Sequence, residues 1–230
     1  MKRYFVFSDI HGHLKPLIEA LDKIGFSMDN EDHILISLGD NFDRGHENLL
    51  VYGYLRHFKN KGRLIMIRGN HDDFLLDFLT GKSDGLFNIK YNGFGTTLVE
   101  FADQKATSID LIRDSINQKF PTLINFLESM VDTFQLGNYI FTHAGLTYDT
   151  DKGWYIYNFS KMKDFIQTFD PRPYTYVFGH THAKSLNLYE LGINSNEIFY
   201  KEGFIGIDAN TTLSKTVHVL VFDEAGNLIG

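Results

Sequence analysis

Short uninterrupted apolar runs alternate with helically spaced ones through the first third of the chain. Tyr4-Phe5-Val6-Phe7, Ile34-Leu35-Ile36 and Leu64-Ile65-Met66-Ile67 are the right length for buried strands. They predict strands over Arg3–Ser8, Ile34–Leu38 and Leu64–Ile67. Between the first two, Leu14, Leu17, Ile18, Leu21 and Ile24 recur at helical spacing. Pro16 is tolerated in the first turn of that helix, and Gly25 stops it. Leu50, Tyr54 and Phe58 mark a second helix face, ended by Gly62, and Phe74, Leu75, Phe78 and Leu79 mark a third. Strand–turn–helix repeated in this way predicts an α/β sheet with its loops gathered on one edge.

The pattern then changes. Ser108–Lys119 and Pro121–Met130 are amphipathic, and Pro121 is placed to start the second of these helices. Tyr91–Thr97 is glycine-rich and fits neither period. Residues 81–132 are expected to form a mostly helical insertion leaning over the loops, within one domain spanning 1–230. Strand-like runs return at Tyr139–Thr142 and Tyr174–Phe178. Gly203–Ile207 and Thr216–Phe222 in the tail are expected to complete a second sheet.

Composition narrows the class. The 230 residues are 43% hydrophobic and 22% charged, as in a folded globular protein. With no cysteine, disulfides and thiolate metal sites are excluded, so any metal must be held by His, Asp, Asn or Glu. A net charge of −7 argues against a broad basic surface, and nucleic acid is not an expected partner. No apolar run approaches the ~18 residues of a membrane helix, and Tyr4–Phe7 is too short for a signal core. The expectation is a cytoplasmic protein without a membrane partner.

The chemistry sits in five turns, each just after a strand-like run. They offer seven candidate ligands: Asp9, His11, Asp40, Asn70, His143, His180 and His182. An i, i+2 pair such as Asp9/His11 or His180/His182 points both side chains the same way at a strand end, as chelation of one ion requires. Imidazole, carboxylate and amide oxygen without sulfur suit Mn²⁺, Fe²⁺ or Zn²⁺. Seven donors exceed what one tetrahedral ion uses but suit two ions sharing a carboxylate, for which Asp40 is the natural bridge. Such a pair can orient phosphoryl oxygens and activate water for in-line attack. Arg44 suits a bidentate phosphate clamp, with Asn70 also expected to touch substrate. His71 is placed to protonate a leaving oxygen, and Asp43 to hold that imidazole. Asp72 is either a rival for the Asp43 role or a helix-start acid. His57, His33 and His218 read as ordinary helix, loop and strand residues, while His13 and His46 follow motif glycines near the expected mouth.

Ser8-Asp9-Ile10-His11-Gly12, Gly39-Asp40-Asn41-Phe42-Asp43-Arg44-Gly45, Gly69-Asn70-His71-Asp72, His143-Ala144-Gly145 and Gly179-His180-Thr181-His182 together resemble the ordered signature of calcineurin-like metallophosphoesterases. The Asp43-Arg44 pair, and an Asn-Gly-containing segment at Tyr91–Leu98, resemble the phosphoprotein phosphatase branch, its bacterial and bacteriophage Ser/Thr phosphatases in particular. The resemblance implies a two-sheet β-sandwich flanked by helices, with metals at the sheet edges. It implies one ion on Asp9, His11 and Asp40, a second on Asp40, Asn70, His143 and His180, and His182 joining the first as in the wider superfamily. It implies His71 as proton donor, Asp43 as its partner and Arg44 as clamp. Manganese is the expected ion, with iron, zinc or nickel as alternatives.

Two departures stand out. Ser8 replaces a glycine common in that branch. The branch's second phosphate-binding arginine has no counterpart in Gly153–Asn158, leaving Asn158 or Arg172 as substitutes. The expected function is hydrolysis of phosphate monoesters on a phosphoprotein or small phosphoester. The alternatives are a dinucleoside polyphosphate or other nucleotide hydrolase and, from another class, a non-catalytic metal-binding interaction module.

Overall fold

The structure, a computed structural model, describes residues 1–149, 153–156 and 159–230, with side chains outside 147–161. Its amino-terminal part runs β1 (Arg3–Phe7), α1 (Leu14–Lys23), β2 (His33–Ser37), α2 (Asn48–Asn60), β3 (Leu64–Met66) and α3 (Asn70–Leu79). Helices α4 (Leu86–Tyr91), α5 (Phe94–Phe101), α6 (Ile109–Lys119) and α7 (Leu123–Glu128) follow. Next come β4 (Thr133–Leu136), β5 (Tyr139–Thr142), β6 (Gly145–Asp149), β7 (Gly153–Ile156) and α8 (Phe159–Thr168). The chain closes with β8 (Thr175–His182), α9 (Ala183–Leu191), β9 (Phe199–Lys201), β10 (Phe204–Asp208), α10 (Thr211–Ser214) and β11 (Leu220–Asp223).

These strands build two facing sheets, ordered β11-β1-β2-β3 and β4-β5-β8-β10-β9, and a separate β6-β7 ribbon. β1, β2 and β3 are mutually parallel, as are β5, β8 and β10. Because both faces of each sheet are covered, the central strands read as continuous apolar runs. Alternate residues serve different cores. Val6, Ile36, Phe141, Val177, Ile205 and Phe222 meet between the sheets. Phe5, Phe7 and Leu35 turn the other way, under α1, α2 and the helices that follow α3. Tyr176 and Phe178 pack beneath Met162 and Phe165 of α8 and Leu186 of α9. This is the expected two-sheet sandwich flanked by helices. No described helix is long and apolar enough to cross a membrane.

Local differences have local causes. Tyr91–Thr97 fits no single period because it joins two helices: Gly93, at φ 78°, ends α4 and opens α5. Gly179–His182 extends β8 rather than forming a turn after it, since β10 runs alongside as far as Asp208 opposite His182. His33 is buried at the start of β2, not in a loop, and its Nδ1 accepts the Ser27 N–H at 2.9 Å. The helix expected over Pro121–Met130 is only α7; the Ser108 hydroxyl caps α6 by accepting the Leu111 N–H.

Candidate active site

The site is assembled at the carboxyl ends of the parallel strands, from the loops that leave them, the first turn of α3 and the last residues of β8. The loop after β1 and the loop after β2 are zipped together: Asp9 N–H donates to Gly39 O (3.1 Å), His11 N–H to Asp40 O (3.1 Å) and Gly12 N–H to Asn41 O (2.9 Å). The turns are tight enough to force side-chain-bearing residues into left-handed backbone. Asp9 (φ 50°), His11 (42°), Asp40 (52°), Asp43 (76°), Arg44 (65°) and His180 (59°) all lie there; among the described non-glycine residues only Asn210 and Lys215 join them. Each such residue costs about 1–2 kcal/mol, and persists only where its surroundings over-determine it.

Asp72 supplies much of that determination. Its buried carboxylate accepts N–H groups from Gly69 (3.0 Å), Asp40 (2.9 Å) and Asn41 (3.2 Å), and the Asn41 side-chain amide (3.2 Å). Burial and the Asp40 charge push its carboxyl up to about 7, against the downward pull of those donors. Two glycines allow the close approaches. A Cβ on Gly39 would stand 2.6 Å from Gly69 N and 2.9 Å from His143 Nδ1. A Cβ on Gly179 would collide with Ser8 Oγ and the Asp9 carboxylate.

Asp40 is the hub. One group of mutually close donors is His11, Asp40 and His71, and a second is Asp40, His143 and His180, with ligand atoms within 4.8 Å of one another in each. His143 Nε2 lies 3.4 Å from Asp40 Oδ1, and His11 Nε2 lies 3.7 Å from Asp40 Oδ2. Burial pushes the Asp40 carboxyl up, but the combined fields of His143, His71, His11 and His180 outweigh it and hold it well below the usual carboxylate range. Burial carries the His11 and His143 imidazoles below their ordinary range, favouring the neutral, ligating form. Their Nδ1 atoms donate to Phe42 O (3.0 Å) and Leu38 O (2.7 Å), which leaves each Nε2 lone pair facing the cluster. That tautomer, with buried carboxylates alongside, fits divalent metal ions.

His71 is held differently. Its Nδ1 donates to the Asp43 carboxylate at 2.7 Å instead of to a backbone carbonyl. Burial alone would lower the His71 imidazole, yet Asp40 and Asp43 raise it overall. Asp43 itself is raised by burial, against hydrogen bonds from His71 and the Thr97 hydroxyl. The Arg44 guanidinium spans both imidazoles, donating to His11 Nε2 (2.9 Å) and His71 Nε2 (3.1 Å).

The remaining expected residues are placed less centrally. Asn70 Oδ1 is 3.2 Å from His143 Nε2, at the second group. Asp9 lies outside both groups; its Oδ2 accepts the His180 N–H (2.9 Å) and the Ser8 hydroxyl, and burial with the nearby Asp208 and Asp40 charges raises its carboxyl. His182 is also outside both, its side chain 39% exposed, with Nε2 3.8 Å from Asp208 Oδ2. Arg172 is not at the cluster. It precedes the amino end of β8, roughly 16 Å of strand from His180. It is tied to Asp170 by hydrogen bonds of 2.9 and 2.7 Å. Asn158 lies outside the described residues. Three residues went unnoticed in the sequence: Asp208, Thr97 and, as a brace, Asp72. Asp208 had a signal in its Ile205-Gly206-Ile207-Asp208 context, another acid ending an apolar run; Thr97 had none.

The family model for calcineurin-like phosphoesterases matches residues 2–199. The chain is 26% identical over 182 residues to the bis(5′-nucleosyl)-tetraphosphatase (asymmetrical) PrpE of Bacillus subtilis, covering 76% of this chain and 69% of that protein. It is 32% identical over 108 residues to serine/threonine-protein phosphatase 2 of Salmonella typhimurium, covering 47% of each. A crystal structure of a candidate diadenosine tetraphosphatase superimposes with a TM-score of 0.61 at 19% identity, covering 99% of this chain and 92% of the other, a likeness of fold.

Proposed function

The chain belongs to the calcineurin-like phosphoesterase family and is a hydrolase, and from that premise we propose that it cleaves dinucleoside polyphosphates at this site. The observation that carries the reading is that, among the described residues, Arg44 is the one guanidinium hydrogen-bonded to the cluster histidines. Arg3 opens β1 at its amino end, Arg56 lies over Tyr52, Arg63 binds His33 O, Arg68 binds Met130 O, Arg113 binds Phe78 O and Arg172 pairs with Asp170, so among the described residues Arg44 is left alone beside the histidines. One clamp leaves the phosphate pocket open on a side, as a chain of phosphates needs. The tetraphosphatase relatives, matched over three quarters of this chain, favour the same substrate class.

In this reading Asp9, His11 and Asp40 would hold one divalent ion, and Asp40, Asn70, His143 and His180 a second. When bound, such ions polarise phosphoryl oxygens and acidify water. Arg44 grips two oxygens of the phosphoryl group in its planar fork. In doing so it lets go of both imidazoles: His11 Nε2 is freed as a ligand, and His71 Nε2 is free to carry a proton toward the leaving oxygen. Asp43 orients that imidazole through Nδ1 and stabilises its charged form.

The His71–Asp43 pair favours a second reading, phosphoserine or phosphothreonine in a protein, because an alkoxide leaving group needs a proton more than a nucleotide does. Rates on diadenosine tetraphosphate, a phosphoserine peptide and nitrophenyl phosphate, with Mn²⁺ supplied, separate the two. The dinucleotide should show the highest kcat/KM. A preference for the phosphopeptide would replace the first reading with the second.

A further inference from the structure

The outer face of α4 carries four exposed residues that belong to none of the three cores: Leu86, Phe87, Lys90 and Tyr91. Phe87 is 67% exposed and Tyr91 62%. They are i, i+4 neighbours, with ring centroids 5.0 Å apart at an interplanar angle of 48°, and Lys90 Nζ lies 4.9 Å from the Tyr91 ring centre. Unlike apolar residues scattered singly, which are ordinary on a surface, adjacent exposed aromatics form a contiguous apolar patch of the kind that binds ligands or partners.

Their mounting points to the occupant. Tyr91 is two residues from Gly93, whose carbonyl accepts the Arg44 backbone N–H at 3.2 Å. Gly93 presses against the same arginine closely enough that a Cβ there would lie 2.9 Å from Arg44 Cγ. Four residues on, Thr97 binds the Asp43 carboxylate. The aromatic pair is therefore carried by the segment that positions the phosphate clamp, and the Lys90 cation stands beside it. Flat π-faces next to cationic groups suit a ligand with a planar base and several phosphates.

We propose that Phe87 and Tyr91 form a nucleobase-stacking platform, with Lys90 attracting the polyphosphate chain toward Arg44. This rests on the dinucleoside polyphosphate reading and adds to it the site that recognises one of the two bases. Stacking is sequence-tolerant, so adenine and guanine dinucleotides should both be accepted.

The test uses the Mn²⁺-loaded enzyme and the double variant Phe87→Ala/Tyr91→Ala, with Phe87→Tyr/Tyr91→Phe as the aromatic exchange. KM for diadenosine tetraphosphate is compared with the inhibition constant of inorganic tripolyphosphate, which carries the phosphates without a base. Removing the rings should raise that KM by roughly five- to a hundred-fold relative to the tripolyphosphate constant, and the aromatic exchange should restore it. If wild-type enzyme cleaves the dinucleotide and the double variant shows no such separation, the platform is wrong while the substrate reading stands. If wild-type enzyme leaves the dinucleotide intact, the substrate reading fails. The platform is then judged alone by saturation transfer from protein to the adenine protons of ADP: transfer lost in the double variant supports it, and absence of transfer in wild type overturns it.

Discussion

At the scale of single residues, His11, His71 and His143, which all face Asp40, are separated by what holds their far nitrogen. His11 and His143 donate to backbone carbonyls, which fixes a neutral tautomer suited to a metal ligand, whereas His71 donates to a carboxylate, which stabilises its charged form. His71→Asn should therefore retain bound metal yet lose about 10²–10⁴-fold on phosphoserine peptide and much less on nitrophenyl phosphate, whose leaving group is a stable anion. Metal analysis alongside the two rates checks this, and equal losses would mean His71 positions phosphate instead. Asp43 and Asp40 raise the His71 imidazole. If protonated His71 is the active form, Asp43→Asn moves the alkaline limb of the pH–rate profile to lower pH; an unmoved limb would remove Asp43 from the proton path. A second contrast concerns the hub. Asp40 belongs to both donor groups and His182 to neither, so Asp40→Asn should cost both ions and nearly all turnover, while His182→Asn keeps metal content and most of the rate. Comparable damage from the two would mean that Asp40 is not the hub.

At the scale of elements, the strands and their edge loops were legible because burial on both faces writes an unbroken apolar run, and the ligand motifs end such runs. Val6, Val177 and their neighbours announced β1 and β8 in this way. β4 was not read from the sequence: it is an edge strand in which only Phe134 and Leu136 turn toward the core, and a four-residue polar–apolar alternation is too short to stand out. The split between α4 and α5 was hidden by the glycine that makes it, since Gly93 interrupts the period of both. The site was legible in its ligands but not in its braces. Asp72 has the sequence look of any acid in a first helical turn, and only the fold shows it receiving N–H groups from the loop that carries Asp40. Asp72→Ala would strand those buried donors, each worth ~1–3 kcal/mol when unsatisfied. The expected result is a loss of several kcal/mol in urea unfolding together with weakened metal retention. Asp72→Asn should recover part of both, because its amide oxygen can still accept. A stability change below about 0.5 kcal/mol in Asp72→Ala would show the brace to be dispensable.

At the scale of the whole molecule, the donors come from both sheets: His11 and Asp40 from loops of the first and His71 from the first turn of α3, His143 from the bend after β5 and His180 from β8 of the second. Ions bound there tie the sheets together, so they stabilise the native state by mass action. Mn²⁺ at a hundred times its dissociation constant should add about 2.7 kcal/mol per site, visible as a rise in Tm that chelator reverses and Asp40→Asn abolishes. A Tm indifferent to Mn²⁺ would place the ions elsewhere or nowhere. The left-handed backbone at Asp9, His11, Asp40, Asp43, Arg44 and His180 works in the opposite direction, because each of these side chains occupies a position that glycine fits better. Most proteins lose stability when alanine becomes glycine; at position 44 the order should invert. Arg44→Gly should unfold at a higher temperature than Arg44→Ala by the equivalent of about 1 kcal/mol, both being without useful activity. That inversion would mark this turn as a place where selection for chemistry has kept the chain below the robustness its fold permits, and it would make the silent glycine variant the sturdier scaffold for any later redesign.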